Sequence, residues 1–175
     1  MSPLLRLICW CLLWTTGVVW ATPKLVIDTA TLAPGTCSEQ RQGQGVTLPD
    51  DWRQLGIHPP AVYCYRTQLV LASQPTEPWA LRIDRLPGNH RITVNGRELT
   101  TRHMEGEVIT SMAPLPYLTE LPVDVLRVGH NDIAIDVRMN PFRKPGIAPM
   151  QVGVLSEMRN DFDNTVLLTV NLPQM

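Results

Sequence analysis

Three runs in this chain alternate with a period of two, mostly apolar residues against polar or small ones, and that period constrains the fold more than any other feature. Tyr63, Tyr65, Thr67, Leu69 and Leu71 alternate with Cys64, Arg66, Gln68 and Val70. Trp79, Leu81 and Ile83 alternate with Ala80, Arg82 and Asp84, and Ile133, Ile135, Val137 and Met139 alternate with Ala134, Asp136, Arg138 and Asn140. Successive side chains of a strand leave opposite faces, so each run sends one set to a core and the other to water or a partner layer. Turn chemistry lies between the runs. Pro87-Gly88-Asn89 separates Ile83 from Ile92-Thr93-Val94, and Asn95-Gly96 follows at once, a pair whose tolerance of positive φ favours a tight hairpin. Arg127 to Asn131 carries a second reversal before the Ile133 strand. The 16 prolines suit strand ends better than helices.

No stretch beyond Ala21 sustains an apolar repeat at helical spacing for three turns, and Leu121 to Leu126 is expected to make a single helical turn at most. Short strands at intervals of about 10–15 residues argue an all-β sandwich. Asp50 or Asp51 is placed to cap a short turn, and Trp52 has the area to close one end of that sandwich. Gly153-Val154-Leu155 is expected to be the last core strand. Beyond it, Ser156 to Asn164 is polar with Met158 and Phe162 interspersed, and residues 165–172 turn apolar again. A domain complete at Gly153 does not need that tail, so the tail is expected to lead elsewhere.

The first 21 residues have a different character. Arg6 precedes an apolar stretch from Leu7 to Trp20, and Val19-Trp20-Ala21 resembles a signal-peptidase site, so residues 1–21 read as an export signal. The stretch is about 14 residues, short of the ~20 that a spanning helix needs. An uncleaved anchor is the alternative. Export predicts a location outside the cytoplasm, in the periplasm. Cys9 and Cys11 leave with the signal, which isolates Cys37 and Cys64. In an oxidising compartment such a pair most simply forms one disulfide, and two buried free thiols are the alternative.

Composition excludes several functions. The formal net charge is −1, with the signs interspersed and no basic run, so a nucleic-acid partner is not expected. The four histidines (His58, His90, His103 and His130) stand at no ligand spacing, and neither a metal nor another cofactor is expected. Glycoside hydrolysis needs two carboxyls about 5–9.5 Å apart. Nothing in the sequence sets any two of the carboxylates opposite each other, and Ser73, Ser111 and Ser156 lack a nucleophile's context. The chain is expected to bind rather than to catalyse.

For binding, Trp52 can stack on a sugar face with Arg53 beside it, core closure being the competing role for Trp52. Tyr65 and Arg66 lie on opposite sides of one strand, so only one of them reaches solvent. Arg138 and Asn140 end a strand and run into Pro141-Phe142-Arg143-Lys144-Pro145-Gly146. That loop joins an aromatic to basic groups and suits an anionic or hydroxylated ligand, with a plain solvated loop as the alternative.

The order of landmarks carries a resemblance. Val46-Thr47-Leu48-Pro49-Asp50-Asp51-Trp52, Val62-Tyr63-Cys64-Tyr65-Arg66, Ile92-Thr93-Val94-Asn95-Gly96 and Val128-Gly129-His130-Asn131-Asp132-Ile133 resemble the galactose-binding-like jelly roll at the N-terminus of family 2 glycoside hydrolases. They resemble more closely the extracytoplasmic sensor region of bacterial multi-pass receptors of the diverse intracellular signalling module type, whose outputs are a histidine kinase or diguanylate cyclase. Asn171-Leu172-Pro173-Gln174 is similar to the ending of those sensors before their first transmembrane helix. The resemblance covers about residues 46–175. It implies a sensor or binding domain over residues 22–155 and a juxtamembrane tail over residues 156–175. It also implies a small-molecule or glycan ligand, or a protein partner, and attachment to the inner membrane through a continuation of the chain. A free carbohydrate-binding or protein-interaction module is the alternative. Arg66 matches the family's strand arginine, with an implied structural role against a neighbouring carboxylate. Two departures stand out. Cys64 interrupts the Tyr-x-Arg strand, suggesting a staple to Cys37, and the glycosidase catalytic barrel is absent.

Overall fold

The computed structural model describes residues 24–58, 61–105, 114–138 and 146–167. Ten strands and one helix follow in chain order: β1 (Leu25–Ile27), β2 (Thr29–Pro34), β3 (Gln44–Thr47), β4 (Val62–Leu71), β5 (Trp79–Leu86), β6 (His90–Val94), β7 (Arg97–Arg102), β8 (Leu115–Leu121), β9 (Gly129–Arg138), β10 (Met150–Val154) and α1 (Leu155–Val166). They form an all-β jelly-roll sandwich of the galactose-binding-domain type. One sheet has the order β1-β10-β5-β8 and the other β3-β2-β4-β9-β6-β7, and among the described residues every pairing is antiparallel.

The alternation read from the sequence places the core. Tyr65, Leu69 and Leu71 of β4 and Ile133, Ile135 and Val137 of β9 point inward and meet Leu81, Ile83 and Val152 of the facing sheet. Ile83, Val94, Ile133 and Ile135 are all buried in strands. Asn95 (φ 50°) and Gly96 (φ 82°) form the β6–β7 turn, the positive-φ pair that Asn-Gly anticipates. Asn131 secures the other reversal, accepting the Arg127 N–H at 2.9 Å and donating Nδ2 to the Arg127 carbonyl at 2.8 Å. The Leu121 to Leu126 segment holds one turn, closed by Val125 N–H to the Pro122 carbonyl at 3.0 Å.

The helix α1 corrects the expectation of a chain without helical repeats. Its apolar stripe is narrow: Met158 is its buried residue, while Leu155, Phe162 and Val166 are half-buried. A face this thin escapes a periodicity reading because Glu157, Arg159, Asp161 and Asp163 dominate the segment. The helix returns onto the four-stranded sheet, with Met158 over Gly153, Arg82 donating to Thr165 Oγ1 at 2.8 Å and Lys24 paired with Asp161 at 3.1 Å. Among the described residues no helix is long and apolar enough to cross a membrane. Residues 1–21, read from sequence as an export signal, and the Asn171–Gln174 ending lie outside the described residues.

At one end of β6 a histidine is enclosed. His90 is 1% exposed, its ring edge-on to Tyr117 at 4.6 Å, and its Nδ1 donates to the Pro87 carbonyl at 2.6 Å. A carbonyl only accepts, so Nδ1 carries the proton, and Nε2 has no hydrogen-bond partner. Burial lowers the imidazole pKa to about 4, the Pro87 bond opposes this, and the Arg102 and His103 charges add to the lowering. As pH falls below the ordinary 6.5, the unfolded chain takes up a proton that the fold refuses until about pH 4. Stability from this group is therefore complete above about pH 6.5 and decreases towards pH 4, by up to about 3 kcal/mol. His90→Phe should flatten the dependence of melting temperature on pH in that window, and an unchanged slope would refute the assignment.

Candidate functional site

The outward residues of the six-stranded sheet align in rows because its strands pair in fixed register. One row runs Thr31 (β2), Arg66 (β4), Ala134 (β9), Thr93 (β6) and Glu98 (β7). The row to one side brings Cys64, Asp136 and Arg91 together, and the row to the other pairs Gln68 with Asp132. Ala134 is the smallest side chain among the charged and polar ones, and the sheet sinks there into an open trough of about 1040 Å³.

Two local structures wall the trough. On one side a 3-10 turn (Cys37–Glu39) is tied to the sheet by a Cys37–Cys64 disulfide, with Cα atoms 4.9 Å apart. The Cys37 N–H donates to Asp136 Oδ1 at 2.5 Å, and Arg66 donates a guanidinium N–H to the Cys37 carbonyl. Glu39 accepts the Thr36 N–H at 3.0 Å, and that bond first, then the Thr36 hydroxyl, holds its carboxyl below the usual range. On the other side the β6–β7 hairpin is anchored at its tip. Asn95 exchanges hydrogen bonds with the Asp132 backbone at 2.9 Å in both directions and donates Nδ2 to the Val125 carbonyl at 2.8 Å. The walls are therefore built on bonded, rigid elements.

The electrostatics of the floor alternate in sign. Arg91 Nε lies 3.4 Å from Glu98, and Gln68 donates to Asp132 at 3.2 Å. Asp136 is 4% exposed. Burial raises its pKa, while the Cys37 N–H, Arg91 and Arg66 pull the other way. Interleaved acceptors and fork-shaped donors suit neighbouring hydroxyls of a polyol, each of which both donates and accepts. Among the described residues no aromatic ring lines the trough. Cys37, Cys64 and Asp136 place potential ligand atoms within 4.8 Å of one another, yet both sulfurs are bonded to each other and offer no thiolate to a metal.

The residues proposed from sequence are dispersed. Arg66 lies in the trough, but its bond goes to the Cys37 carbonyl rather than to a carboxylate side chain. Trp52 is fully buried and cannot stack on a ligand, because its ring fills the space between the sheets. Arg53 is exposed on the turn that Asp51 caps through the Arg53 N–H at 3.1 Å, away from the trough. Arg138 is half-buried on the trough's face, one row beyond Asp136. Asn140, Phe142 and Arg143 lie outside the described residues. Sequence reasoning missed Arg91, Asp132, Asp136 and the Ala134 floor. Their outward position was legible for β9, but not the strands beside it.

No family model and no curated protein matches the chain. Solved structures do match in fold. The chain is similar to a family 2 glycosyl hydrolase from Bacteroides cellulosilyticus, with a TM-score of 0.56 and 18% identity over 75% of this chain and 20% of that one. It is also similar to the FMN-binding β-glucuronidase from Faecalibacterium prausnitzii L2-6, with a TM-score of 0.52 and 19% identity over 74% of this chain and 22% of that one. The β-glucuronidase from Ruminococcus gnavus aligns with a TM-score of 0.54 and 14% identity, over 74% and 28%. The chain thus spans less than a third of these enzymes, and the likeness is one of fold.

Proposed function

We propose that this chain is a non-catalytic carbohydrate-binding module that holds a glycan in the trough over Ala134. The observation that carries this reading is a rigid, strand-built depression. Hydroxyl, carboxylate, amide and guanidinium groups converge there around the smallest side chain of the row. The glycosidase matches in fold agree with a sugar ligand.

The export reading draws support from the Cys37–Cys64 disulfide, since such bonds persist in oxidising compartments. A second reading makes the module the periplasmic ligand-sensing region of a membrane receptor with a histidine kinase or diguanylate cyclase output. It draws on α1, which follows β10 without a linker and is tied to the sandwich through Arg82 and Thr165, so the chain leaves the domain through a docked element. A sensor of this kind needs a ligand that favours one arrangement of α1 over another, whatever its affinity.

Ala134→Trp tests the shared premise. The added ring fills the trough without entering the core, so binding to a panel of oligosaccharides should fall at least about tenfold while stability moves by no more than about 0.5 kcal/mol. Titration calorimetry and thermal melts on both proteins decide it. Unchanged affinity in the variant, or no binding by the native protein, would defeat the reading.

A further inference from the structure

We propose that Cys37, Cys64 and Asp136 form a redox centre in which the disulfide opens to a dithiol, with Asp136 as proton donor to the buried sulfur. Three observations carry this. The two cysteines differ in exposure: Cys37 is half-buried on the 3-10 turn, while Cys64 is 1% exposed. Asp136 is the direct cross-strand partner of Cys64, and its carboxylate oxygen lies within 4.8 Å of both sulfurs. That acid is itself 4% exposed, and its Oδ1 accepts the Cys37 N–H. A purely structural disulfide needs no carboxyl beside Cys64; as a carboxylate the group opposes a leaving thiolate, whereas as a neutral carboxyl it supplies that thiolate with a proton.

The step balances with a dithiol reductant. Its thiolate attacks the accessible Cys37 Sγ and forms a mixed disulfide, and the Cys37–Cys64 bond breaks with its electron pair going to Cys64 Sγ. The Asp136 carboxyl gives that sulfur its proton and becomes a carboxylate. The reductant's second thiol, as thiolate, then attacks its own mixed-disulfide sulfur and displaces Cys37 as a thiolate, so the reductant leaves as a disulfide; the two protons released by the reductant's thiols return through water to Cys37 and Asp136, and this chain gains two thiols. Arg66 on β4, Arg91 on β6 and Glu39 on the 3-10 turn face Asp136. The two arginines stabilise the carboxylate left after the transfer, and Glu39 opposes it. Burial raises the carboxyl's pKa, which favours the protonated form that the step uses.

Opening the bond has a consequence for the trough. The 3-10 turn loses its covalent tie to β4, leaving hydrogen bonds from Cys37 to Asp136 and Arg66 to hold that wall. The core between the sheets lies on the other face of β4 and keeps its packing. Reduction is thus a way to loosen one wall while the sandwich stands. This consequence rests on the binding reading, whereas the redox chemistry does not.

The test uses the full chain without denaturant and dithiothreitol as reductant. Thiol labelling followed by mass spectrometry should show both cysteines reduced, with Cys37 the site of any trapped mixed disulfide. Asp136→Asn keeps an oxygen to accept the Cys37 N–H but cannot donate its proton. It should slow reduction at least about tenfold and remove the fall in thiolate-corrected rate as pH rises through the carboxyl's titration. Trypsin should cut after Arg41, in the exposed segment next to the turn, in the reduced protein and in Cys37→Ser/Cys64→Ser, but not in the oxidised protein. Reduction that requires denaturant, trapping at Cys64, or an Asp136→Asn rate and pH profile equal to native would each overturn the proposal. Glycan affinity measured in both redox states separates the two ideas: affinity lost on reduction supports the coupling, and equal affinity overturns the coupling alone.

Discussion

Replacing Trp52 with alanine is expected to cost about 3–5 kcal/mol, the range for removing a fully buried large aromatic. The ring is 0% exposed and lies 5.0 Å from the Tyr63 ring and 6.3 Å from the Tyr65 ring. It also starts a buried chain of hydrogen bonds. Trp52 Nε1 donates to the Tyr65 hydroxyl at 2.5 Å, and that hydroxyl donates to Asp50 Oδ2 at 2.5 Å. Asp50 Oδ1 takes the Ile147 N–H at 2.8 Å, and Arg85 bonds the Asp50 and Ile147 carbonyls at 3.0 and 3.2 Å. Burial and the Asp50 charge raise the Tyr65 pKa far above the ordinary range, so the phenol stays a donor.

Tyr65→Phe removes one oxygen yet orphans both the indole N–H and a carboxylate oxygen, at a cost of about 2–4 kcal/mol. Urea titrations of the two variants measure both effects. Glycan affinity at low denaturant should be unaffected, since the network faces away from the trough. A loss under about 1 kcal/mol in Trp52→Ala would mean that this end of the sandwich is not packed as described.

Removing the staple should be nearly as costly. Cys37 and Cys64 are 27 residues apart, and closing a loop of that size restricts the unfolded chain by about 3–4 kcal/mol. Cys37→Ser/Cys64→Ser should therefore lower stability by that amount. Its denaturant m-value should rise, because the uncrosslinked unfolded chain exposes more surface. A sandwich of ordinary stability survives such a loss, and far-UV circular dichroism should be native-like. Collapse of the β signal at room temperature would instead make the staple a condition of folding.

What the amino-acid sequence determined by itself was local. Side chains alternate along β4, β5 and β9 because a strand has a period of two, and that period sorted Tyr65 from Arg66 and Ile135 from Ala134 before any neighbour was known. Asn95-Gly96 placed a hairpin because both residues accept positive φ, and Cys37 and Cys64 pair as the sequence reading expected.

The tertiary structure decided which strands adjoin. β4 and β9 are separated by four strands in the chain and lie side by side in the sheet, and only that pairing sets Arg66 beside Ala134 and Cys64 beside Asp136. Closing a long loop costs little more than closing a short one, so sequence distance carries almost no information about such neighbours. The same applies at Gly146, whose φ of 103° and contact with the Asp50 carbonyl leave no room for a side chain. It applies also to α1, whose single buried methionine acquires meaning only against Gly153 of the sheet beneath it. Faces are a property of each strand, whereas the trough, the redox centre and the buried Asp50 network belong to pairings between segments far apart in the chain.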